Sequence, residues 1–96
     1  MTGLARTSAG LDERRRRLLF RSWRRGTREM DLIMGRFAES AIGDLTDEEI
    51  AEFERLSDLP DPDIYAWLTG AVKVPDDYDL PVFRRLRDYF TLRPIE

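Results

Sequence analysis

Hydrophobic residues recur at helical spacing through the first half of the chain. In the stretch 28–41 they lie three and four positions apart, which places them on one face of a helix: Met30, Ile33, Met34, Phe37, Ala38 and Ala41. An earlier apolar set in 11–24 predicts a preceding helix: Leu11, Leu18, Leu19, Phe20 and Trp23. Gly26 is the predicted stop between the two, and the second helix is predicted to end near Gly43.

Capping signals predict a third and a fourth helix. Thr46 and Glu49 have the spacing of a capping box, in which the hydroxyl and the carboxylate each accept from a free backbone amide. The helix that follows is predicted to run to about Ser57. Asp61 is the predicted cap of a short fourth helix that has Pro62 at its first position and stops at Gly70.

A fifth helix is predicted after the proline- and aspartate-rich connector 74–79. Asp79 is its predicted cap, Pro94 lies beyond its end, and its apolar face comprises Phe83, Leu86, Tyr89 and Phe90. We therefore predict an all-α fold, a compact bundle of about five helices in a single domain spanning 11–93. A disordered tail is predicted at 1–10 and a short tail at 94–96. Phe37 and Trp67, on apolar helix faces, are predicted core residues.

Composition narrows the class of protein. The 96 residues are 36% charged and 42% hydrophobic, and the longest apolar run, residues 64–68, has only five residues, so no membrane insertion is expected. Cysteine and histidine are both absent. Their absence excludes thiolate nucleophiles, the commonest transition-metal ligands and the usual general base near neutral pH. We expect a non-catalytic protein without a metal site, and we interpret Asp58, Asp61 and Asp63 as helix-capping residues rather than calcium ligands.

Charge is distributed unevenly along the chain. Residues 1–36 contain ten arginines against four acids, whereas residues 37–83 contain two bases against thirteen acids. The arginine run 14–17 is interpreted as a solvated helix start or a loose electrostatic contact rather than a specific site. The protein is therefore expected to present a basic end and an acidic belt, which would orient it toward a charged partner.

Two motifs in this arrangement resemble a known family. Arg25-Gly26-Thr27-Arg28-Glu29 reads as RGxxE between two predicted helices, and residues 61–68 read as DPD-x-x-x-W-L. With Asp31, Gly35-Arg36-Phe37 and the capped third helix in the same order, residues 14–90 resemble the SdhE family, also called succinate dehydrogenase assembly factor 2 or Sdh5. The resemblance implies a five-helix protein that binds the flavoprotein subunit of succinate dehydrogenase or fumarate reductase and promotes covalent FAD attachment.

The resemblance also implies a partner-binding surface. The motif residues fall on Arg25, Gly26 and Glu29, and the surface they form is expected to face the flavoprotein. We also predict that Arg21, Arg24, Arg28 and Asp31 bind the partner. Trp23 is the expected anchor of the interface. The flavin would react with a histidine of the partner, so we expect this chain to bind no cofactor stably and FAD to be carried by the flavoprotein. We expect the bacterial cytoplasm, or the mitochondrial matrix in a eukaryote, as its location.

Other interpretations of these residues remain. Gly26 is alternatively only a helix stop. A basic helix, a short glycine-containing turn and a second helix also resemble a helix-turn-helix, which would indicate a small nucleic-acid-binding or regulatory interaction protein. The acidic belt and a pI near 5.0 argue against binding to a phosphate surface. A helical enzyme would need an acid–base pair, for which Glu48, Glu49 and Glu52 are the candidates. A monomer is expected, with weak dimers through methionine and aromatic side chains near the first turn as the alternative.

Overall fold

Five α-helices follow one another in the computed structural model, which describes residues 10–92. Their bounds are α1 Glu13–Ser22, α2 Arg28–Ala41, α3 Asp47–Ser57, α4 Asp61–Thr69 and α5 Pro81–Leu92. No strand occurs within the described residues, and the all-α prediction of five helices in one small domain is confirmed. Apart from Gly10, the tails predicted at 1–10 and 94–96 lie outside the described residues. Within those residues, none of the helices combines the length and apolarity needed to cross a bilayer.

Two helices begin with the side-chain caps that their sequences favour. The Thr46 hydroxyl accepts a hydrogen bond from the Glu49 amide at 3.1 Å, and the Glu49 carboxylate accepts from the Thr46 amide at 3.0 Å. This reciprocal pair confirms the predicted capping box of α3. At the start of α2, the Thr27 hydroxyl accepts from the Met30 amide at 3.3 Å. Both starts are therefore set by local sequence.

Two other predicted boundaries are wrong. The first helix is shorter than 11–24, because Asp12 caps it by accepting from the Arg15 amide at 2.8 Å and its last residue is Ser22. At α4, Pro60 occupies the capping position without a side-chain hydrogen bond, and Asp61 is the first helical residue. The carboxylate of Asp61 is used by another part of the chain, as described below.

The cap predicted for α5 is also wrong. Asp79 ends a 3₁₀ turn, Asp76–Tyr78, that the sequence pattern did not predict. Helix α5 begins two residues later at Pro81, where a missing N–H is tolerated. The Val82 amide donates instead to the Glu52 carboxylate of α3 at 3.2 Å. A residue 30 positions away in the chain therefore accepts the hydrogen bond of an amide at the start of α5.

The core forms around α2, which packs between α1 and α5. The Phe37 ring meets Phe53 of α3 edge-on, with centroids 5.5 Å apart, and Tyr89 of α5 at 5.8 Å. Phe37 is buried, as predicted, whereas Trp67 is half-buried against the core and stacks on Tyr78 at 5.6 Å. Each fully buried large apolar side chain stabilises the fold by about 1.5–3 kcal/mol. The apolar face read from the sequence of 28–41 is therefore the centre of the domain.

Arginines at the start of α1 fasten it to the rest of the bundle. Arg15 donates to the backbone oxygens of Ile42 at 3.1 Å and Leu45 at 2.6 Å, which follow the end of α2. Arg14 donates to the Glu54 carboxylate of α3 at 2.7 Å, and this hydrogen bond lowers the pKa of Glu54. Because the Arg15 side chain is only 16% exposed, the expectation of a solvated helix start is wrong for Arg15, whereas Arg14, 47% exposed, makes a surface contact of the expected kind.

Trp23 packs inward rather than outward. Its indole ring lies directly over Gly35 of α2, where a Cβ atom would overlap the ring. The indole N–H donates to the Glu39 carboxylate at 3.0 Å, and the side chain is half-buried against the core. The expectation that Trp23 anchors a partner interface is therefore replaced by a role in docking the end of α1 onto α2.

Substitution of Gly35 by alanine is expected to lower the free energy of unfolding by about 1–3 kcal/mol, because the added methyl group displaces the Trp23 ring. This loss should outweigh the gain in helix propensity, about 1 kcal/mol. Urea denaturation followed by circular dichroism measures it. In a Trp23→Leu background the same substitution should become neutral or stabilising. An equal loss in both backgrounds would contradict the packing role.

Candidate functional site

The α1–α2 connection, residues 23–27, is here called the glycine turn. Gly26 has φ +117°, in the region that side-chain-bearing residues rarely adopt. A Cβ atom on Gly26 would meet nothing within 4 Å, so the outer side of the turn is open. The backbone conformation therefore requires a glycine here, and its lack of a side chain leaves a flat, accessible surface. Gly26 is more than a helix stop, since α1 already ends at Ser22.

Arg25 points into the protein. Its side chain is only 9% exposed and binds Asp61 of α4, with Nε to Oδ1 at 2.8 Å. The two remaining nitrogens donate to the backbone oxygens of Ser57 and Leu59, the latter at 2.8 Å. Each of the three guanidinium nitrogens thus donates to the segment that joins α3 to α4, residues 57–61. The expectation that Arg25 offers its guanidinium to a partner differs from the structure, since the group is buried and bonded internally.

Asp31 also has an internal task. Its carboxylate oxygen accepts from the backbone amides of Arg25 and Gly26, the second at 3.2 Å, and the residue is half-buried. A carboxylate one turn into α2 thereby holds the strained part of the glycine turn. Asp31, expected to face a partner, is instead a support of the turn from beneath.

The other predicted residues are exposed. The side chains of Arg28 and Glu29, in the first turn of α2, make no hydrogen bond or ion pair within residues 10–92. The Arg24 guanidinium lies 4.0 Å from the centre of the exposed Phe20 ring and has no carboxylate partner in the same part of the chain. Arg21 is exposed but pairs with Asp58 at 2.8 Å. The structure therefore gathers all seven predicted residues at one end of the molecule and divides them between an outer surface and its support.

Sequence reasoning missed two contributors to this end of the molecule. Asp61 was interpreted as a cap, although it lies 36 positions from Arg25 and is that residue's ion-pair partner. Phe20 was assigned to the apolar face of α1, yet it is 58% exposed beside the glycine turn. The DPD run was the available signal for Asp61. For Phe20, the signal was a third consecutive apolar residue, which a single helix face does not accommodate.

This geometry gives little support to the alternative interpretations as an enzyme, a metal-binding protein or a nucleic-acid-binding protein. Glu49 is used by the capping box and Glu52 by the start of α5, so the candidate acid–base pair of α3 is already committed to structure. Within residues 10–92 no cluster of three or more possible metal ligands occurs. Asp58 and Asp61 neutralise two of the arginines at the glycine turn, which weakens it as a phosphate-binding surface. Met30 and Met34 are buried, so the expected methionine contacts for a weak dimer are absent here.

Loss of the Arg25 side chain is expected to lower the free energy of unfolding by about 3 kcal/mol, because Arg25→Ala leaves the Asp61 carboxylate and two carbonyls without partners. Arg25→Lys should recover only part of the loss, since an ammonium does not reproduce the planar fork. Urea denaturation is the measurement. Arg84→Ala, which removes an exposed pair with Asp79, is the matched control and should change stability little. Equal effects of the two alanine variants would show that the buried pair does not hold the turn.

Comparisons with known proteins identify relatives of this chain. A family model described as Sdh5, flavinator of succinate dehydrogenase, matches residues 16–90. The chain is 40% identical over 76 residues to the FAD assembly factor SdhE of Acetobacter pasteurianus, which covers 79% of this chain and 70% of that protein.

Mitochondrial relatives are similar over a comparable stretch. Succinate dehydrogenase assembly factor 2 of Yarrowia lipolytica is 43% identical over 81 residues, or 80% of this chain and 56% of that protein. Its counterpart in Dictyostelium discoideum is 31% identical over 85 residues, or 88% of this chain and 60% of the relative. The chain thus spans less than two thirds of these two relatives. Because the family model covers the glycine turn together with the loop that holds it, we conclude that the chain belongs to the Sdh5 family, the flavinators of succinate dehydrogenase.

Proposed function

We propose that this chain binds the flavoprotein subunit of succinate dehydrogenase or fumarate reductase and promotes covalent attachment of FAD, without catalysis by its own side chains. The observation that carries the proposal is the family match over 16–90, which contains an outward-facing turn with unpaired charges. The names of the relatives, FAD assembly factor and succinate dehydrogenase assembly factor, support the same role.

Glu29 is the centre of the proposed docking surface. It lies in the first turn of α2. Because no group within residues 10–92 binds it, the carboxylate is available to accept from an arginine or a backbone amide of the partner. Gly26 beside it lets the partner's backbone approach closely, and Arg28 adds a charge of opposite sign. Together the two charges favour one orientation of the partner.

Arg25 and Asp31 are proposed to act indirectly. Arg25 ties the glycine turn to the α3–α4 loop, and Asp31 binds two amides of the turn. A turn held from both sides loses little conformational entropy when it docks, which favours binding. Substitution of either residue would therefore weaken docking through the shape of the turn rather than through a lost contact.

The proposed mechanism is a shift in the partner's conformational equilibrium. A binding protein displaces such an equilibrium only to the extent that its affinity differs between the two states. Tighter binding to the flavoprotein conformation in which flavin and the partner's histidine meet would promote the covalent bond. Release is then favoured once the partner's conformation changes, so the complex is transient.

FAD is proposed to stay with the flavoprotein throughout. A dinucleotide fingerprint places its glycines in a loop between a strand and a helix. Here Gly26 joins two helices, and Gly35 is covered by the Trp23 ring. Within residues 10–92, these two glycines therefore do not form that type of pyrophosphate cradle.

The compartment follows from the partner. We propose that the protein works where the flavoprotein folds, in the cytoplasm of a bacterium or the mitochondrial matrix of a eukaryote. Relatives from Acetobacter pasteurianus and from mitochondria support both settings.

The Glu29→Gln variant is expected to reduce covalent flavin on the coexpressed flavoprotein subunit to about a tenth of wild type or less, because one charged contact contributes at least a factor of ten. In-gel flavin fluorescence measures the covalent product in cells without another flavinator. Glu48→Gln is the matched control, since Glu48 is the exposed second residue of α3 just as Glu29 is of α2. Normal flavinylation with Glu29→Gln would remove Glu29 from the docking surface.

Gly26→Arg is expected to abolish flavinylation while the helical fold persists, because the new side chain projects into the open space where the partner approaches. The matched control is Gly70→Arg at the end of α4, where φ is also positive, at +83°, and the surrounding space is also open. Both variants place a side chain on a residue of positive φ, which strains the backbone. Equal loss of flavinylation in the two would indicate that strain, rather than a blocked surface, is responsible.

A further inference from the structure

A groove of about 650 Å³ runs alongside the glycine turn. One wall is the end of α1 and the start of the glycine turn, with Phe20 and Arg24, and the other is residues 59–62, where the α3–α4 loop enters α4. The Arg25–Asp61 pair lies between the two walls. We call this cavity the Phe20 groove. Outside RGxxE, only Arg21 and Arg24 among its lining residues were predicted to bind a partner.

The α1 wall combines an apolar surface with a charge. Phe20 is 58% exposed, which is unusual for a large aromatic residue in a small domain. The Arg24 guanidinium lies over its ring, 4.0 Å from the centre, in cation–π geometry. This contact fixes the cation at the edge of the groove without neutralising it.

The opposite wall offers few hydrogen bonds. Pro60 and Pro62 have no N–H group, and the Leu59 oxygen already accepts from Arg25 at 2.8 Å. The Pro60 oxygen accepts from the amides of Asp63 and Ile64, at 3.1 and 3.3 Å. With the Leu59 and Pro60 oxygens occupied and two N–H groups missing, this wall suits an apolar side chain better than a polar one.

The charges that border the groove leave one cation uncompensated. Asp61 is paired with Arg25, and Arg21 is paired with Asp58. Arg24 has no carboxylate partner within residues 10–92, although its guanidinium is always ionised. The groove is therefore complementary to a carboxylate at its Arg24 edge and to an apolar group in its interior.

We propose that the Phe20 groove binds an acidic segment of the flavoprotein, with an aliphatic or aromatic side chain between Phe20 and the prolines and a neighbouring carboxylate on Arg24. This inference rests on the proposed function and extends the docking surface beyond Gly26 and Glu29. A buried aromatic contact and an adjacent charge pair are the features that commonly dominate the energy of protein interfaces. The groove would thus contribute affinity while Glu29 sets the orientation.

The test is a titration of the purified chain with the FAD-loaded flavoprotein subunit of the same organism. Phe20→Ala and Arg24→Gln are each expected to raise Kd about tenfold. The matched controls are Tyr65→Ala, an exposed ring packed edge-on against Phe90, and Arg55→Gln, whose guanidinium lies 5.2 Å from the Tyr78 ring centre. Both controls should leave Kd unchanged. Affinity should fall with added salt less steeply for Arg24→Gln than for wild type, because one charge pair is gone.

A photo-cross-linking residue at position 20 tests the identity of the occupant. Mass spectrometry should identify a flavoprotein peptide that carries Asp or Glu next to an apolar residue, and the same probe at position 65 should give no cross-link. A cross-linked peptide without an acidic residue, or binding of free FAD that Arg24→Gln abolishes, would overturn the proposed occupant.

The outcomes separate this inference from the proposed function. If wild type binds the flavoprotein and Glu29→Gln weakens binding, but Phe20→Ala and Arg24→Gln match their controls, only the groove proposal fails. If wild type does not bind the flavoprotein at all, the proposed function fails and the groove proposal fails with it.

Discussion

The buried ion pair between Arg25 and Asp61 is the interaction on which the site depends. It connects the glycine turn to the segment between α3 and α4, and these two segments are far apart in the sequence. A guanidinium whose three nitrogens donate to a carboxylate and two carbonyls is both charge-compensated and hydrogen-bonded, which is the condition for a buried charge to be tolerated. Because the pair spans residues of the RGxxE and DPD motifs, it gives a physical reason for their occurrence in one chain.

This arrangement separates the residues of the turn into two groups. The side chains of Arg25 and Asp31 form hydrogen bonds within the protein. The side chains of Arg28 and Glu29 form none with residues 10–92. Gly26 lies between the groups, since its positive φ belongs to the supported backbone and its bare outer side to the surface. A motif of five consecutive residues thus alternates between internal and external roles, as the geometry of a tight turn requires.

Rigidity of the turn also fits the proposed conformational mechanism. A flexible surface would adapt to both conformations of a partner and discriminate poorly between them, whereas a fixed surface binds the complementary conformation more tightly. The inward packing of Trp23 over Gly35 fixes the entry to the turn, and the Thr27 cap fixes its exit into α2. The fold therefore supplies a preorganised surface although each of its helices is short.

The sequence by itself determined the helices whose signals are local. The apolar face of 28–41, the capping box at Thr46 and the stop at Gly70 all act within a few residues, so spacing and side-chain chemistry were enough to predict them. The order of the motifs was likewise enough to indicate the family. Tertiary structure alone decided which charges face outward, because Arg25 finds its partner at Asp61 and the start of α5 is satisfied from α3, both across more than 29 residues. An isolated sequence window contains no information about such pairs, since their energy depends on which segments packing of the core brings within hydrogen-bonding distance.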